Sequence, residues 1–300
     1  MFKIAGIGEI LWDVSKDARN PGGAPMNFAY HAAQLGCEAY PITCVGTDSD
    51  GQALQSHLKA KGICCDYVYQ KSDAPTGIVD VNLVEGKPNY RIREPAAWDY
   101  IPFNPRLKEL CASLDALCFG TLASRCPVSR QAIKHCIQAT SASTLRVFDV
   151  NFRESFFSKS LVEEYLRLAN VLKLSDEELP WMICEFGLSK HPETALSEIL
   201  EAYSLEVVLL TTGATGAHFL SKNHSIFGKA HPTEAVDTIG CGDAFTAASI
   251  FSILSGEPPE TVLEFSNKIA GYVSTQSGGM PSIPHEILNN RESNGRIDTG

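Results

Sequence analysis

Short apolar segments and amphipathic segments alternate along most of the chain. Residues 2–7 form an apolar run that ends at a glycine, which predicts a buried strand. Residues 24–35 carry apolar side chains at helical spacing and are followed by Gly36, which predicts a helix. The same reasoning predicts strands at residues 40–45, 116–119, 145–150, 171–174, 207–211 and 217–220. It predicts helices at residues 49–62, 127–139, 161–169, 176–186, 194–203, 239–254 and 259–274. This alternation with short connections predicts a doubly wound, mostly parallel α/β sheet with flanking helices.

The pattern changes between residues 66 and 101. Residues 67–69, 77–84 and 89–92 alternate apolar and polar side chains and are separated by turn-forming residues. This alternation predicts a small antiparallel sheet inserted into the α/β body. Together with residues 12–20, the insertion is expected to form a lid over a ligand cleft. Body and lid are expected to form one domain over residues 1–288, followed by a loose polar tail at residues 289–300.

Composition changes this picture mainly by excluding partners. The 300 residues include 25 Lys and Arg against 35 Asp and Glu, a formal net charge of −10. Such a charge disfavours nucleic acid and anionic membranes as partners, although a small phosphorylated ligand can still bind a locally positive pocket. The ten cysteines lack a Cys-x-x-Cys pair and zinc-finger spacing. The first residues match neither a secretory signal nor a membrane span, so a reduced, cytoplasmic protein is expected.

Residues 237–243 carry the strongest chemical signal. Gly240 and Gly242 flank Cys241 just before a long apolar run, which predicts a tight turn into a helix N-terminus. The first amides of a helix have no intrahelical acceptor and the helix dipole favours an anion there, so a phosphoryl group can bind. Asp243, in the first turn, is placed to accept a proton from a hydroxyl nucleophile. Taken alone, the pattern also fits an ordinary helix cap.

These residues closely resemble the C-terminal signature of the ribokinase family of carbohydrate kinases, Asp-Thr-x-Gly-Ala-Gly-Asp, with Cys241 in place of the usual Ala. Residues 21–27 resemble the first signature of the same family. Other segments that fall in family order are residues 6–13, 149–153, 173–178, 211–216 and 281–282. The resemblance spans nearly the whole chain. It implies a ribokinase-like fold and an ATP-dependent transfer of phosphate to a sugar hydroxyl, with Mg²⁺ and K⁺ as cofactors.

The resemblance implies catalytic roles for five residues. Asp243 would deprotonate the sugar hydroxyl, and the amides of Gly240, Cys241 and Gly242 would surround the transferred phosphoryl group. Arg153 would reach the phosphates. The residues expected to hold the sugar are Asp13, Gly22, Gly23, Asn27, Arg91 and Asn151. For several of these a plainer interpretation stays open, such as a solvated strand-end carboxylate, a turn glycine or, for the arginine of the insertion, decoration of a lid face.

The resemblance also assigns residues to the nucleotide and the ions. Those expected around the nucleotide are Lys173, Glu178, Thr211, Thr212, Gly213, Gly216, Gly240, Gly242 and Asn267. Glu178 is expected to reach Mg²⁺ through water, but residues 175–178 equally fit a capping box in which it only caps a helix. Those expected to bind a monovalent cation are Asp237, Ile239, Val273, Gln276, Gly278 and Ser282. Gln276 stands where ribokinase itself often has a basic residue, which leaves the cation site open.

Residues 8–13, 22–29 and 93–99 look more like those of fructokinases than of ribokinase proper. The chain is therefore expected to phosphorylate the terminal hydroxyl of a ketohexose, with fructose as the first candidate. Ribose, 2-keto-3-deoxygluconate and a catalytically silent sugar-sensing role remain alternatives. An oxidoreductase is disfavoured because Gly6-x-Gly8 lacks the third glycine of a dinucleotide-binding fingerprint. A homodimer through the lid is expected, since a small sheet with exposed edges is often paired.

Overall fold

The computed structural model describes residues 1–16, 18–84 and 87–289. The strands are β1 (Lys3–Ile7), β2 (Leu11–Val14), β3 (Arg19–Gly22), β4 (Glu38–Gly46), β5 (Val68–Lys71), β6 (Gly77–Val84), β7 (Lys87–Ile92), β8 (Ala116–Phe119), β9 (Leu145–Asp149), β10 (Val171–Ser175), β11 (Val207–Thr211), β12 (Gly216–Ser221) and β13 (Ser225–Lys229). The helices are α1 (Ala24–Gln34), α2 (Ser49–Ala60), α3 (Pro105–Ala112), α4 (Pro127–Ala139), α5 (Lys159–Leu168), α6 (Leu179–Phe186), α7 (Pro192–Ala202), α8 (Cys241–Leu254), α9 (Pro259–Ser274) and α10 (His285–Asn289). Short 3₁₀ helices lie at Ala97–Tyr100, Leu122–Arg125 and Gly213–Thr215. None of the helices within the described ranges has the length and apolar character needed to span a membrane.

The main sheet has nine strands in the order β13-β12-β11-β10-β9-β8-β1-β4-β5. Neighbours from β11 to β5 are parallel, and β12 and β13 extend the sheet in antiparallel fashion. Successive strand residues enter opposite cores. Ala5 belongs to the buried apolar cluster that includes side chains of α3, α4, α5 and α7, whereas Ile4 belongs to the cluster that includes those of α1, α8 and α9. The predicted doubly wound, mostly parallel α/β sheet with flanking helices is confirmed.

A second, smaller sheet has the order β3-β2-β6-β7. The predicted small sheet is therefore present, but it is mixed rather than antiparallel. β2 and β6 run parallel, with Asp13 level with Val79, while the two outer pairs are antiparallel. Parallel neighbours need a long crossover connection, and here the chain passes through β3, α1, β4, α2 and β5 between the two central strands.

One strand predicted for the insertion belongs to the main sheet instead. Residues 67–69 overlap β5, which pairs in parallel with β4. Val68 is buried in one apolar cluster with Val45, Leu54 and Leu58. Burial against the body therefore decides the pairing of this segment, because the alternating pattern alone does not say which sheet a strand joins.

Five elements were not predicted from the pattern, namely the strands β2, β3 and β13 and the helices α3 and α10, and one prediction falls outside the described residues. The β13 strand has only half-buried and exposed residues, so it lacks a strong apolar signal. The α3 helix is short, although Asn104 accepts from the amide of Leu107 at 2.9 Å and Pro105 follows it, a recognisable start signal. The predicted tail lies outside the described residues except for Asn289, which ends α10.

The carboxyl ends of the central strands and the N-terminus of α8 meet at one end of the main sheet. Asp149 ends β9, and Lys173 in β10 and Thr246 in α8 both donate to its carboxylate, at 3.1 and 3.2 Å. Asp13 of the small sheet is at the same end, since the charge of Arg153 reaches it. Open α/β sheets bind ligands at the carboxyl ends of their strands, so the candidate site lies here.

Candidate active site

The turn before α8 depends on glycine at the N-cap position. Gly240 is the N-cap residue, with φ of 78° in the left-handed region. A Cβ on Gly240 would lie 2.6 Å from the Cα of Gly279, so a side chain does not fit without movement. The amide of Cys241 already donates to the carbonyl of Thr238 at a long 3.3 Å. Gly242 lies in the first helical turn, where amides lack intrahelical acceptors and can meet an anion.

Asp243 lies in that first turn, and the pKa of its carboxyl group is close to neutral pH. Burial and the nearby charge of Asp149 raise its pKa to about 7. The side-chain amide of Asn27 donates to Oδ2 at 2.8 Å and, with Lys173 and Arg153, opposes this rise. A general base works best when its pKa lies near the operating pH. This placement and pKa are compatible with the predicted base beside the predicted anion-binding helix end.

Asp149 and Lys173 form a buried ion pair beside this helix end. The ammonium of Lys173 donates to Asp149 Oδ1 at 3.1 Å, and both side chains are buried. The Lys173 Nζ would lie 3.2 Å from a Cβ on Gly242, so a positive charge directly flanks the first turn. Burial opposes that charge, but the carboxylates of Asp149, Glu178 and Asp243 raise the pKa of Lys173 overall. Lys173 thus stays cationic next to the candidate anion site.

Asp149 itself was missed as a site residue by the sequence reasoning, which named only its neighbours Asn151 and Arg153. The available signal was an acidic side chain at the carboxyl end of a predicted strand. Glu9, two residues after the first strand, was missed in the same way. Its carboxylate is buried, accepts from the amide of Ala24 at 3.2 Å, and has a pKa raised by burial. Glu9 lines one interior cleft with Asp149, Asn151 and Asp243.

The loop after β9 has a constrained backbone. Asn151 and Glu154 have φ of 41° and 47°, in the left-handed region that non-glycine residues rarely adopt. Arg153 lies between them, exposed, and donates to the carbonyl of Phe152 at 3.0 Å. Its positive charge opposes the rise in the pKa of both Asp13 and Asp243. The loop therefore presents a guanidinium towards the predicted sugar and phosphate positions.

Both carboxylate oxygens of Glu178 accept hydrogen bonds from backbone amides. Oε1 accepts from Phe152 at 3.0 Å and Oε2 accepts from Ser175 at 2.7 Å. The second bond has the glutamate-to-amide spacing of the predicted capping box, but α6 begins only at Leu179, so Glu178 is its N-cap residue and the predicted box at the start of the helix is not formed. Each oxygen keeps a free lone pair, so a bridging water to Mg²⁺ is compatible with these bonds. The magnesium role stays a prediction.

The predicted sugar-binding residues lie where the backbone approaches other groups closely. A Cβ on Gly22 would lie 2.4 Å from the carboxylate of Asp13, and one on Gly23 would lie 2.5 Å from the carbonyl of Glu9. Gly23 also has φ of 120°. Burial raises the pKa of Asp13 to about 6, and Arg153 opposes that rise. A partly desolvated carboxylate beside bare backbone suits hydrogen bonding to sugar hydroxyls.

Arg91 lies on the other face of the small sheet. In the strand register Asp13 is level with Val79, whereas Arg91 is level with the adjacent residue, Asp80. Side chains alternate between the faces of a sheet, so Arg91 shares a face with Asp80 and not with Asp13. Arg91 and Glu154 are among the residues that line a cleft of about 510 Å³ at this edge. A contact of Arg91 with the sugar stays a prediction, and the register places it apart from Asp13.

Part of the predicted cation loop comes together. The Asp237 carboxylate accepts from the amide of Ile239 at 3.0 Å and from that of Gly278 at 2.9 Å. The carbonyls of Val273 and Ser282 already accept from the Gln276 amide at 3.0 Å and the Tyr272 hydroxyl at 3.1 Å. Within the described ranges, no group of three or more His, Cys, Asp or Glu side chains could hold a metal. A cation here would depend on carbonyl oxygens.

The predicted nucleotide loop joins β11 to β12. The amide and hydroxyl of Thr212 both donate to the carbonyl of Gly216 at 2.9 Å, and Gly213 has φ of 55°. Thr211 makes a long 3.4 Å contact to the carbonyl of Leu174. Asn267 is buried in α9 and donates to the carbonyl of Gly228 in β13 at 2.9 Å. Its amide donor therefore joins α9 to the sheet, and its contact with adenine stays a prediction.

Residues 7–286 match the model described as pfkB family carbohydrate kinase. The chain belongs to this family. The pfkB-family chain is 26% identical to the fructokinase of Salmonella typhimurium, over 97% of its own length and 99% of that protein. It is also 26% identical to the ribokinase of Bacillus subtilis, over 88% and 84% of the two chains. The fold resembles that of an ATP-bound fructokinase from Xylella fastidiosa, with a TM-score of 0.84, 20% identity and coverage of 95% and 97%. The predicted family membership is confirmed, and the pfkB-family chain is a carbohydrate kinase.

Proposed function

We propose that this pfkB-family kinase transfers the γ-phosphoryl group of ATP to the terminal hydroxyl of a ketohexose, with fructose as the first candidate. The observation that carries the proposal is the placement of Asp243 at the N-terminus of α8, with a pKa of about 7. The base then acts on the attacking hydroxyl, and the anion-binding amides act on the phosphoryl group that is transferred to it.

Asp243 accepts the proton of the attacking hydroxyl as that oxygen forms a bond to the γ-phosphorus. The bond from phosphorus to the bridging oxygen breaks, and ADP leaves with the bonding electron pair. The transferring group carries negative charge, which the first amides of α8 and the ammonium of Lys173 stabilise. Arg153 and the Asp149–Lys173 pair orient the phosphates. Their effect depends on preorganisation, because these groups are in place before the transfer.

The ions are proposed from the donors that the site offers. Glu178 offers carboxylate lone pairs on the side of the Lys173 ammonium, and magnesium prefers such oxygen ligands with several retained waters. When bound, Mg²⁺ neutralises charge on the phosphates. We place K⁺ near the residue 237–239 turn and Gly278, where it would stabilise the backbone that carries the anion-binding amides.

Fructose is proposed because residues 8–13, 22–29 and 93–99 look like those of fructokinases, and because the Salmonella typhimurium relative is a fructokinase. Ribose is the second candidate, since the Bacillus subtilis relative at the same identity is a ribokinase. We further propose that the small sheet acts as a lid over the sugar, that the protein is a homodimer through this sheet, and that it resides in the cytoplasm. The ten cysteines, which are all free, support the last proposal.

An ADP-release assay with ATP, Mg²⁺ and K⁺ tests the reaction on fructose, ribose, glucose, mannose, adenosine and 2-keto-3-deoxygluconate. We expect selective turnover of fructose. The Asp243→Asn variant should lose about 10³-fold or more in kcat, because the hydroxyl loses its base, while calorimetric ATP affinity changes little.

Asp176→Asn is the matched control for Asp243→Asn, since it removes the same charge from an exposed position after β10. Its turnover should stay near that of the unchanged protein. A kcat of Asp243→Asn within tenfold of the unchanged protein would refute the proposed base. Selective turnover of a different sugar would keep the mechanism and replace the substrate.

A further inference from the structure

Helix α1 carries polar residues that hold a distant segment of the chain. Asn27, His31 and Gln34 lie at i, i+4 and i+7, and therefore on one face of the helix. Asn27 donates to Asp243, as described above. The other two bond to residues 278–283, the segment that follows α9 and lies more than 240 positions away in sequence. One helix face thus contacts both the candidate base and this segment.

His31 is fully buried and makes a directed bond. Its Nε2 lies 2.9 Å from the carbonyl oxygen of Gly279. A carbonyl only accepts, so Nε2 carries the proton and Nδ1 is the acceptor of the neutral ring. The side-chain amide of Gln34 lies 3.4 Å from Nδ1, on the side where a donor is needed. Burial lowers the pKa of His31 to about 4, which agrees with a neutral ring.

Gln34 holds the same segment at two further points. Its Nε2 donates to the carbonyl of Pro281 at 3.2 Å, and its Oε1 accepts from the amide of Ile283 at 2.7 Å. Lys61 of the turn after α2 donates to the carbonyl of Met280 at 3.1 Å. The segment has no regular structure of its own, so these side chains supply the partners that its backbone needs.

Gly279 connects the segment held by α1 to the N-terminus of α8. A Cβ on Gly279 would lie 2.8 Å from Asn27 Nδ2, and a Cβ on Gly240 would lie 2.6 Å from the Cα of Gly279. Gly279 therefore lies directly between α1 and the N-cap of α8. The packing on both sides of Gly279 is tight, because one added carbon atom would collide with Asn27 on one side or with Gly279 itself from Gly240 on the other. A shift of Gly279 is therefore expected to displace Gly240 and the amides that follow it.

We propose that His31 is a positioning residue of the phosphoryl-transfer site: its bond to the Gly279 carbonyl holds residues 278–283 against Gly240 and so aligns the first amides of α8 with Asp243. The inference rests on the proposed function, because it takes the N-terminus of α8 as the place where the phosphoryl group binds. It adds a residue that does not itself touch sugar or nucleotide. Gln34 supports it by orienting the ring.

His31→Leu and His31→Gln separate this role from simple packing. Leucine fills the space but leaves the Gly279 carbonyl without its donor, whereas glutamine places an amide donor where Nε2 was. We expect kcat of His31→Leu to fall about 10- to 100-fold, since small misplacements of a preorganised site have such effects. KM for the sugar should change less than about threefold. His31→Gln should recover most of the lost kcat.

The control for losing a histidine is His57→Leu. His57 lies in α2, and its Nε2 has no partner among the described residues. The kcat of His57→Leu should match that of the unchanged protein. Equal losses of kcat in His31→Leu and His31→Gln would overturn the proposal, because packing and not the donated bond would then matter. A His31→Leu kcat within twofold of the unchanged protein would also overturn it.

Hydrogen–deuterium exchange gives a readout that needs no substrate. In His31→Leu we expect faster exchange in peptides covering residues 276–283 and also residues 238–244, with both restored in His31→Gln. Faster exchange confined to residues 276–283 would overturn the coupling to α8. If the unchanged protein turned over no sugar, the proposed function would fail, and the exchange result would still decide whether His31 holds the helix N-terminus.

Discussion

Asp243 shows how one side chain acquires its chemistry from neighbours distant in sequence. Asn27 donates to it from α1, and Asp149 raises its pKa through charge, so that burial and repulsion outweigh the three groups that favour ionisation. A base must be deprotonated to act. Because the pKa of the carboxyl is raised to about 7, activity should be present above this pH and lost below it.

We therefore expect kcat/KM for the sugar to fall about tenfold per pH unit below about pH 7 and to level off above it. Asn27→Ala removes the amide that donates to Asp243. It should raise the pKa of Asp243 and move the acidic limb of the pH profile to higher pH, because the ionised carboxylate loses a hydrogen bond. Initial rates between pH 5.5 and 9 check both. A profile that stays flat to pH 5.5 would contradict an Asp243 base with this pKa.

At the scale of an element, the two ends of α8 allow a controlled comparison. Gly240 precedes the helix and Gly256 follows it, with φ of 78° and 74°. A Cβ at Gly240 would meet the backbone of Gly279 at 2.6 Å, whereas one at Gly256 would meet nothing within 4 Å. Alanine at Gly256 therefore tests only the left-handed backbone, whereas alanine at Gly240 tests the left-handed backbone and the close approach to Gly279 together.

Alanine at either glycine should cost about 1–2 kcal/mol of unfolding free energy for the left-handed backbone. Gly240→Ala should cost more, and its kcat should fall at least about 100-fold, because the collision displaces the anion-binding amides. Gly256→Ala should keep its kcat. Urea denaturation and the ADP-release assay measure the two effects. Equal kcat values for the two variants would show that the contact with Gly279 does not position the helix end.

At the scale of the whole molecule, the small sheet is connected to the loop after β9 as well as to the body. The carboxylate of Glu154 accepts from the amide of Ile92 at the end of β7 at 2.7 Å. The edges of this sheet, β3 and β7, each pair with only one strand of their own sheet. An open edge or face of a small sheet is often covered by a second copy of the chain.

We expect light scattering to give twice the 32.6 kDa mass of one chain, with this mass retained on dilution to the concentrations used for activity. The physical reason is that a small sheet with two open edges gains stability when a second copy of the chain covers it. A strict monomer at all concentrations would contradict the proposed homodimer without affecting the proposed reaction.

The sequence by itself determined the features that depend on neighbours along the chain. Apolar periodicity marks the strands and helices of the main body, and the glycine pair around Cys241 marks the turn into α8 with Asp243 in its first turn. These signals are local, since helix and strand periods and turn glycines act within a few residues. The ordered set of motifs was sufficient to identify the family.

Only the tertiary structure decided which distant residues meet. The alternation of residues 67–69 could not reveal that β5 joins the main sheet, because a strand pattern does not name its partner. The Asp149–Lys173 pair, the buried Glu9 and the bond from His31 to Gly279 also join residues separated by intervening elements. Partner choice, burial and pKa follow from packing of the whole chain, because the free energy that selects them comes from long-range contacts.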